Sequence, residues 1–265
     1  MEKITSRSNT LIAHLRKLGR DRAYRKQCHM FLCDGPKLLE EALLWGGEVE
    51  TVLKTEETIL PAALPPSVRV VTVPADLLQW VSPVQQPQGC LFACRMQETE
   101  VPDRLTGKRY AVLEGLQDPG NVGTILRTAA AFSLDGVFLT EGCADLWNPK
   151  TVRATMGAVF RMPAWQTGRS EAVELLRAAG LPLYGAALGA DCIAVGQTAP
   201  ALAPGAVAIG SEGKGLSDAL LQLCDRRVQI PMDPRCESLN AAVAAGILFW
   251  EMRRSEEGKR TPCQH

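Results

Sequence analysis

Residues 109–140 read Arg109-Tyr-Ala-Val-Leu-Glu-Gly-Leu-Gln-Asp-Pro-Gly-Asn121-Val-Gly-Thr-Ile-Leu-Arg127-Thr-Ala-Ala-Ala-Phe-Ser-Leu-Asp-Gly-Val-Phe-Leu-Thr140. The apolar run Tyr110–Leu113 is of strand length, and Asp118-Pro119-Gly120 is a turn that opens a helix near Val122–Phe132. Gly136–Thr140 is a second apolar run. Strand, helix and strand without in–out alternation describe a βαβ unit whose strands are covered on both faces, as a parallel sheet requires. Working outward, further strands are expected at Leu183–Ala187, Ala206–Ile209 and Arg227–Ile230. They alternate with helices at Pro149–Val159, Glu171–Ala179, Ser217–Leu223 and Leu239–Arg253. Residues 109–255 thus read as a parallel α/β domain, with its ligand site at the carboxyl ends of the strands.

Upstream, residues 97–108 carry Pro102, Gly107 and no apolar period, which marks a linker. Residues 1–96 read as a smaller alternating α/β domain. Its first element is a basic amphipathic helix over Ser8–Lys26, with Ser8 as N-cap and Leu11, Leu15 and Leu18 on one face. Strands follow at Met30–Cys33, Val49–Leu53, Val68–Val73 and Cys90–Cys94, with helices at Pro36–Trp45 and Ala75–Trp80. The stretch from Ser255 has no pattern, and residues 256–265 read as a disordered tail.

Composition excludes several classes. The 265 residues are 46% hydrophobic and 22% charged, ordinary for globular domains. The longest apolar stretch, Ala241–Trp250, is half of the roughly 20 residues that span a bilayer, and Met1–Leu11 lacks the apolar centre of a signal peptide. A cytoplasmic location is expected. Nine scattered cysteines, an odd number, argue for reduced, mostly buried thiols. Cys90 and Cys94 have no His or second Cys pair nearby, so no metal site is expected. Net charge is zero, yet Lys3, Arg7, Arg16, Lys17, Arg20, Arg22, Arg25 and Lys26 crowd the first thirty positions. Such a run is either a solvated helix face or a phosphate-binding surface.

Three loops after strands carry polar residues that a plain core does not need. In the first, Glu114–Ala129, a turn sets Asn121 at a helix start and Arg127 further along it. Helix starts offer free N–H groups to an anion. Gly120-x-x-Gly123 is too short for a dinucleotide fingerprint, and a KH-type RNA clamp needs a different domain around it. An N-cap and a surface arginine remain the plain alternative. The second, Gly210-Ser-Glu212-Gly-Lys-Gly-Leu-Ser217, lacks the spacing of a phosphate-binding P-loop, because Gly215 follows Lys214. What remains is a flexible backbone around one carboxylate. The third, Ile230-Pro-Met-Asp-Pro-Arg-Cys-Glu-Ser238-Leu-Asn240, leads into an Ala-rich helix that Ser238 is placed to cap, with Asn240 exposed in the first turn.

In order and spacing, Asn121-x-Gly-x-x-x-Arg127-Thr-Ala, Gly210-x-Glu212-x-x-Gly215 and Ile230-Pro-Met…Ser238-Leu-Asn240 resemble the three signature motifs of the SpoU (TrmH-like) RNA ribose methyltransferases. The resemblance extends to Asn148–Phe160 and to the first domain, which is similar to the family's L30e-like substrate-binding domain. It implies a parallel-sheet α/β catalytic domain with a C-terminal trefoil knot, the SPOUT fold. It also implies homodimers with the active site near the interface, S-adenosylmethionine as cofactor, and methyl transfer to an RNA ribose 2′-hydroxyl. Ribosomal RNA is the favoured substrate, with transfer RNA the other option.

Carried over by position, the catalytic residues are Asn121, Arg127, Glu212, Ser238 and Asn240, and the cofactor-binding residues are Gly210, Ile230 and Leu239, joined by Ala187 and Met232. A guanidinium stays protonated and has no acceptor, so Arg127 is expected to clamp RNA phosphate rather than act as a general base. Glu212 is expected to organise hydrogen bonds, with a two-point contact to a guanidinium as one form. Within this fold the basic helix reads as an RNA contact through Arg16, Arg20 and Arg25. Pro234 stands where many relatives have Gly, and Ala241-Ala242 replace a frequent Val-Ser. Two other readings are weighed: a non-catalytic RNA-binding protein that retains the fold, which would give no heat with S-adenosylmethionine, and a nucleotide-dependent oxidoreductase, which the missing glycine fingerprint excludes.

Overall fold

The computed structural model of the chain describes residues 2–61, 64–97, 100–189, 191–196, 202 and 204–257. The elements in order are β1 (Glu2–Lys3), α1 (Thr10–Arg20), α2 (Arg22–Cys28), β2 (Met30–Asp34), α3 (Pro36–Leu44), β3 (Val49–Lys54), β4 (Arg69–Thr72), α4 (Ala75–Val81), β5 (Cys90–Arg95), β6 (Arg109–Leu113), α5 (Pro119–Ala131) and β7 (Gly136–Leu139). Then come α6 (Pro149–Ala154), a 3-10 turn at Ala158–Phe160, β8 (Ala164–Gln166), α7 (Arg169–Ala178), β9 (Leu183–Ala186), β10 (Ile193–Ala194), β11 (Gly205–Ile209), α8 (Asp218–Leu221), β12 (Arg226–Gln229) and α9 (Ala241–Glu257). The tail expected from residue 256 lies outside the described residues from 258 onward; α9 itself runs on to Glu257.

The chain forms two compact units, Met1–Glu98 with Asp145–Arg161, and Thr99–Ala144 with Met162–His265. The first unit carries a mixed sheet in the order β1-β4-β3-β5-β2. Leu15 and Leu18 of α1 are fully buried in one core with Leu32, Leu53 and Leu91, as expected, but the third fully buried position is Ile12, and Leu11 is only half-buried at the edge of that face. The expected single helix over Ser8–Lys26 is two helices. Asp21 takes an extended backbone (φ −114°, ψ 111°), ends α1, and its carboxylate caps α2 by accepting from Tyr24 N at 3.0 Å. Asn9, not Ser8, caps α1, accepting from Leu11 N at 2.9 Å.

Arg25 also departs from expectation. It is 3% exposed; Nη1 donates to Leu18 O at 3.0 Å and Nη2 to Asp145 Oδ2 at 2.7 Å. Its charge is consumed inside the unit, so it is not an RNA contact. Asp145 belongs to the segment Asp145–Arg161, which packs with the first unit although it falls within the 109–255 stretch assigned to the second domain. The reason is apolar and ionic pairing. Phe31 stacks on Trp147 with ring centroids 4.6 Å apart, Arg153 lies 3.6 Å from the buried Asp34, and Arg161 bonds Glu41 at 2.7 Å.

The second unit holds a seven-stranded sheet in the order β10-β12-β9-β11-β6-β7-β8, parallel at every pairing, as the unalternating strands require. Tyr110, Phe138 and Trp165 stack on its face together with Leu176 and Leu183. β11 and β6 are central neighbours in register, Ile209 opposite Leu113. The loops that follow these two strands therefore leave the same edge of the sheet side by side.

Candidate active site

The site grows from those loops. Asp118 caps α5 by accepting from Asn121 N at 2.8 Å, which fixes Asn121 in the first helical turn. Asn121 Nδ2 then donates to Glu212 Oε1 at 3.0 Å. From the third loop, Asn240 Nδ2 donates to the same Glu212 oxygen at 2.5 Å and to Asn121 Oδ1 at 3.0 Å. Ala241 N adds a fourth bond of the set, to Glu212 Oε1 at 3.3 Å. One carboxylate oxygen thus ties three loops that lie 91 and 28 residues apart in sequence. It does so at the start of α9, where the helix dipole favours negative charge.

Asn240 has a second task. Its Oδ1 accepts from Ala242 N at 3.0 Å and Val243 N at 3.3 Å, so Asn240 caps α9 where Ser238 was expected to. Glu212 likewise differs from expectation: its partners are two amides and a backbone N–H, not a guanidinium. Arg127 is exposed on α5, and its side chain makes no hydrogen bond or ion pair among the described residues.

Beside this node lies a cavity of about 570 Å³, a volume in the range of small-molecule and cofactor sites. Ala187, Gly210, Ile230, Met232 and Leu239, the five residues expected to hold a cofactor, all line it. Glu212 and Ser238 stand on its wall; Asn121, Arg127 and Asn240 do not, although Asn121 and Asn240 reach it through Glu212. The lining is mainly aliphatic side chains and strand-end backbone, with Leu216 and Leu248 closing the inner side. A Cβ on Gly210 would lie 2.1 Å from Gly215 C and 2.2 Å from its O, so only glycine lets the loop fold back on itself there. Ser211 and Gly215 exchange backbone hydrogen bonds at 3.2 and 2.8 Å, closing that fold.

Sequence reasoning missed the base of the loop. Glu114, 6% exposed at the end of β6, accepts from Ser217 N at 2.8 Å and from Ser217 Oγ at 2.9 Å, and its Oε1 pairs with Arg169 Nε at 3.0 Å. A lone Glu directly after a buried apolar strand was the available signal, since a buried carboxylate must find donors. In the first unit, Arg16 lies over Trp80 at 4.1 Å from the ring centroid and Arg7 over the same ring at 5.6 Å, while Arg20 is exposed in the last turn of α1. Among the described residues no group of His, Cys, Asp and Glu side chains is placed to hold a metal ion, and none of the eight described cysteines is in a disulfide. Three of those thiols are buried, four half-buried and one, Cys236, exposed.

Comparison with known proteins agrees with this geometry. Residues 108–250 match the SpoU rRNA Methylase family, and residues 9–92 match the MRM3-like substrate binding domain. The 23S rRNA (guanosine(2553)-2′-O)-methyltransferase RlmP of Bacillus subtilis (strain 168) is 34% identical over 255 residues, covering 96% of this chain and all of that one. The 23S rRNA (uridine(2479)-2′-O)-methyltransferase of Streptomyces viridochromogenes is 32% identical, over 87% of this chain and 77% of its own. The crystal structure of the SpoU methyltransferase AviRb from Streptomyces viridochromogenes in complex with AdoMet superposes with a TM-score of 0.82 at 28% identity, over 94% of this chain and 98% of that one. With the parallel sheet, the three motif loops and these matches in agreement, the chain belongs to the SpoU rRNA methylase family.

Proposed function

We propose that this protein methylates the 2′-hydroxyl of a ribose in ribosomal RNA, with S-adenosylmethionine held in the cavity between the loops after β11 and β12. The observation that carries this reading is the cavity itself: the second and third motif loops line it, the first reaches it through Glu212, its walls are mainly aliphatic and backbone, and the absent side chain of Gly210 lets the wall fold closely on Gly215. Those features fit a ligand with a flat purine, a ribose and a short polar chain. When bound there, S-adenosylmethionine supplies an electrophilic methyl on a sulfonium.

The chain's own residues do the rest by positioning. Asn121 and Asn240 hold Glu212 at the cavity wall, and Glu212 in turn fixes the start of α9 through Ala241 N. Gly210, Ile230, Met232, Leu239 and Ala187 shape the pocket, and Ser238 stands on its wall. Arg127, exposed on α5 and without a partner among the described residues, is assigned the RNA phosphate beside the reacting ribose, which it can grip at two points. Since Arg127 does not line the cavity of its own chain, we place the complete site at a homodimer interface. Exposed Val243 (52%) and Trp250 (47%) on α9 support that assignment. The two curated relatives are named for a guanosine and a uridine, which suits a site that addresses the sugar and leaves base choice to other surfaces.

The resemblance further assigns a trefoil knot to the C-terminal part and the substrate-binding role to residues 1–96, which pack with 145–161, and the polar composition of 97–108 makes that stretch the linker. Arg16 and Arg20 remain the candidates for RNA contact in that domain. Among the described residues no helix is long and apolar enough to cross a membrane, and together with an RNA substrate this supports a cytoplasmic location. Ribose-methylation maps of ribosomal RNA from cells with and without the protein test the function: one lost methyl group is expected, and identical maps would overturn the assignment. Arg127→Lys separates the roles of the arginine, because recovery of most of the rate by a point charge would refute the two-point clamp.

A further inference from the structure

We infer that Glu114 is a positioning residue for the cofactor loop, acting through Ser217 to hold residues 210–217 against the cavity. Loop 210–217 contributes much of the cavity wall, yet at its tip Gly213 and Gly215 carry no side chain and nothing stands where one would project, so side-chain packing adds no rigidity there. Its order must come from polar ties. Besides the bonds the loop makes within itself between Ser211 and Gly215, two tie it to the rest of the unit, one at each side. Glu212 is tied to Asn121 and Asn240, and Ser217, where the loop ends, is tied to Glu114 through both its N–H and its hydroxyl.

The second tie is the better protected. Glu114 is buried, both its oxygens are used, and Arg169 supplies the counter-charge a buried carboxylate needs. Ser217 Oγ also accepts from Leu220 N at 3.2 Å, capping α8, so the hydroxyl passes the constraint from the strand end to the helix that follows. Glu114 N, in turn, donates to Ile209 O at 3.0 Å, one residue before Gly210. Glu114 therefore grips both ends of the loop, by its backbone at the entry and its side chain at the exit. It does not line the cavity and has no contact to make with substrate.

The inference rests on the reading of the cavity as the S-adenosylmethionine site. Calorimetric titration of the full chain with S-adenosylmethionine, alongside RNA binding and thermal melting, tests it on wild type, Glu114→Gln, Ser217→Ala, Ser217→Thr and the double variant Glu114→Gln/Ser217→Ala. Ser217→Ala is expected to weaken cofactor binding roughly five- to ten-fold, and Glu114→Gln by ten-fold or more. Ser217→Thr, which keeps hydroxyl and N–H, should recover most of the loss. The double variant should bind within about two-fold of Glu114→Gln, because both changes cut one connection. RNA affinity should stay at the wild-type value throughout, which a general loss of structure would not allow. Cofactor affinity unchanged in Glu114→Gln, fully additive losses, or parallel losses of cofactor and RNA binding would each overturn the inference. If Glu114→Gln does not fold, the Ser217→Ala and Ser217→Thr pair decides alone: equal affinities refute the tie. Wild-type protein that gives no heat would instead overturn the reading of the cavity, and the inference with it.

Discussion

Arg25→Ala should behave as a stability variant and leave RNA affinity alone. The guanidinium is 3% exposed and shares a 2.7 Å ion pair with Asp145, itself 8% exposed, so truncation strands a buried carboxylate. Breaking a buried pair from one side costs about 3–5 kcal/mol. Arg22 Nε stands 3.9 Å from the other oxygen of Asp145 and offers part of a replacement, which favours the lower end, about 3 kcal/mol. At about 2–4 °C per kcal/mol for a chain of this size, the midpoint of thermal unfolding should fall by roughly 10 °C. Arg20→Ala, at an exposed site, should shift stability by less than about 0.5 kcal/mol. The assay is a pair of melts together with RNA affinity measured across salt concentration. Arg20→Ala, as a lost phosphate contact, should reduce the salt slope by about 1, and Arg25→Ala should leave it unchanged. Replacing both partners, Arg25→Met with Asp145→Leu, should recover part of the lost stability, since an apolar pair no longer strands a charge. An Arg25→Ala protein that melts like wild type and loses salt slope would refute the reasoning.

Gly210→Ala places a methyl 2.1 Å from the Gly215 backbone, which has no side chain to swing away, so the loop must move; calorimetry should show S-adenosylmethionine affinity reduced by at least ten-fold, roughly the effect of one lost set of backbone contacts. Thiol labelling of the native protein at neutral pH should mark the exposed Cys236 and spare Cys33, Cys90 and Cys94, because burial pushes the Cys90 thiol up to about 12 and Cys33 well above its ordinary value. Peptide mapping that finds the three buried thiols labelled at the rate of Cys236 would count against the packing of β2 and β5. Burial also raises the carboxyl of Asp34 above its ordinary 3.8, against the opposing pull of Gln88 N–H and Arg153. The native state then holds a proton that the unfolded chain has released, so this group's contribution to stability falls as pH rises from 3.8 through the raised value. Urea unfolding of Asp34→Asn across that window should show a flatter pH dependence than wild type, and parallel curves would refute the shift.

The long elements were legible because each follows from local pattern. Unalternating runs such as Ala206–Ile209 became buried parallel strands, and Asp118-Pro119-Gly120 became a helix start. Short edge strands were not: Glu2–Lys3, Ala164–Gln166 and Ile193–Ala194 have two or three residues each, too few to carry a period, and form only because a neighbouring strand is there to pair with. For the site, spacing within each loop placed Asn121, Glu212 and Asn240, but nothing local says that one carboxylate oxygen joins them. The motif resemblance supplied that grouping. Arg25 misled because a basic residue on an amphipathic helix looks like its solvated neighbours until its partner, 120 positions away, is known. Glu114 was passed over for the same reason, its partner Ser217 being 103 positions away.

The return of Asp145–Arg161 to the first unit has a practical corollary for dissecting this protein. A truncation that stops at residue 96 keeps every strand of the mixed sheet but deletes α6, uncovers Phe31, and strips Arg25 of its acid and Asp34 of its nearby guanidinium. Poor behaviour of such a fragment would report a missing wall, not an inability of the domain to fold. Chimeras that exchange the N-terminal module between relatives need to carry residues 145–161 across with it, as two grafted pieces of one foldable whole.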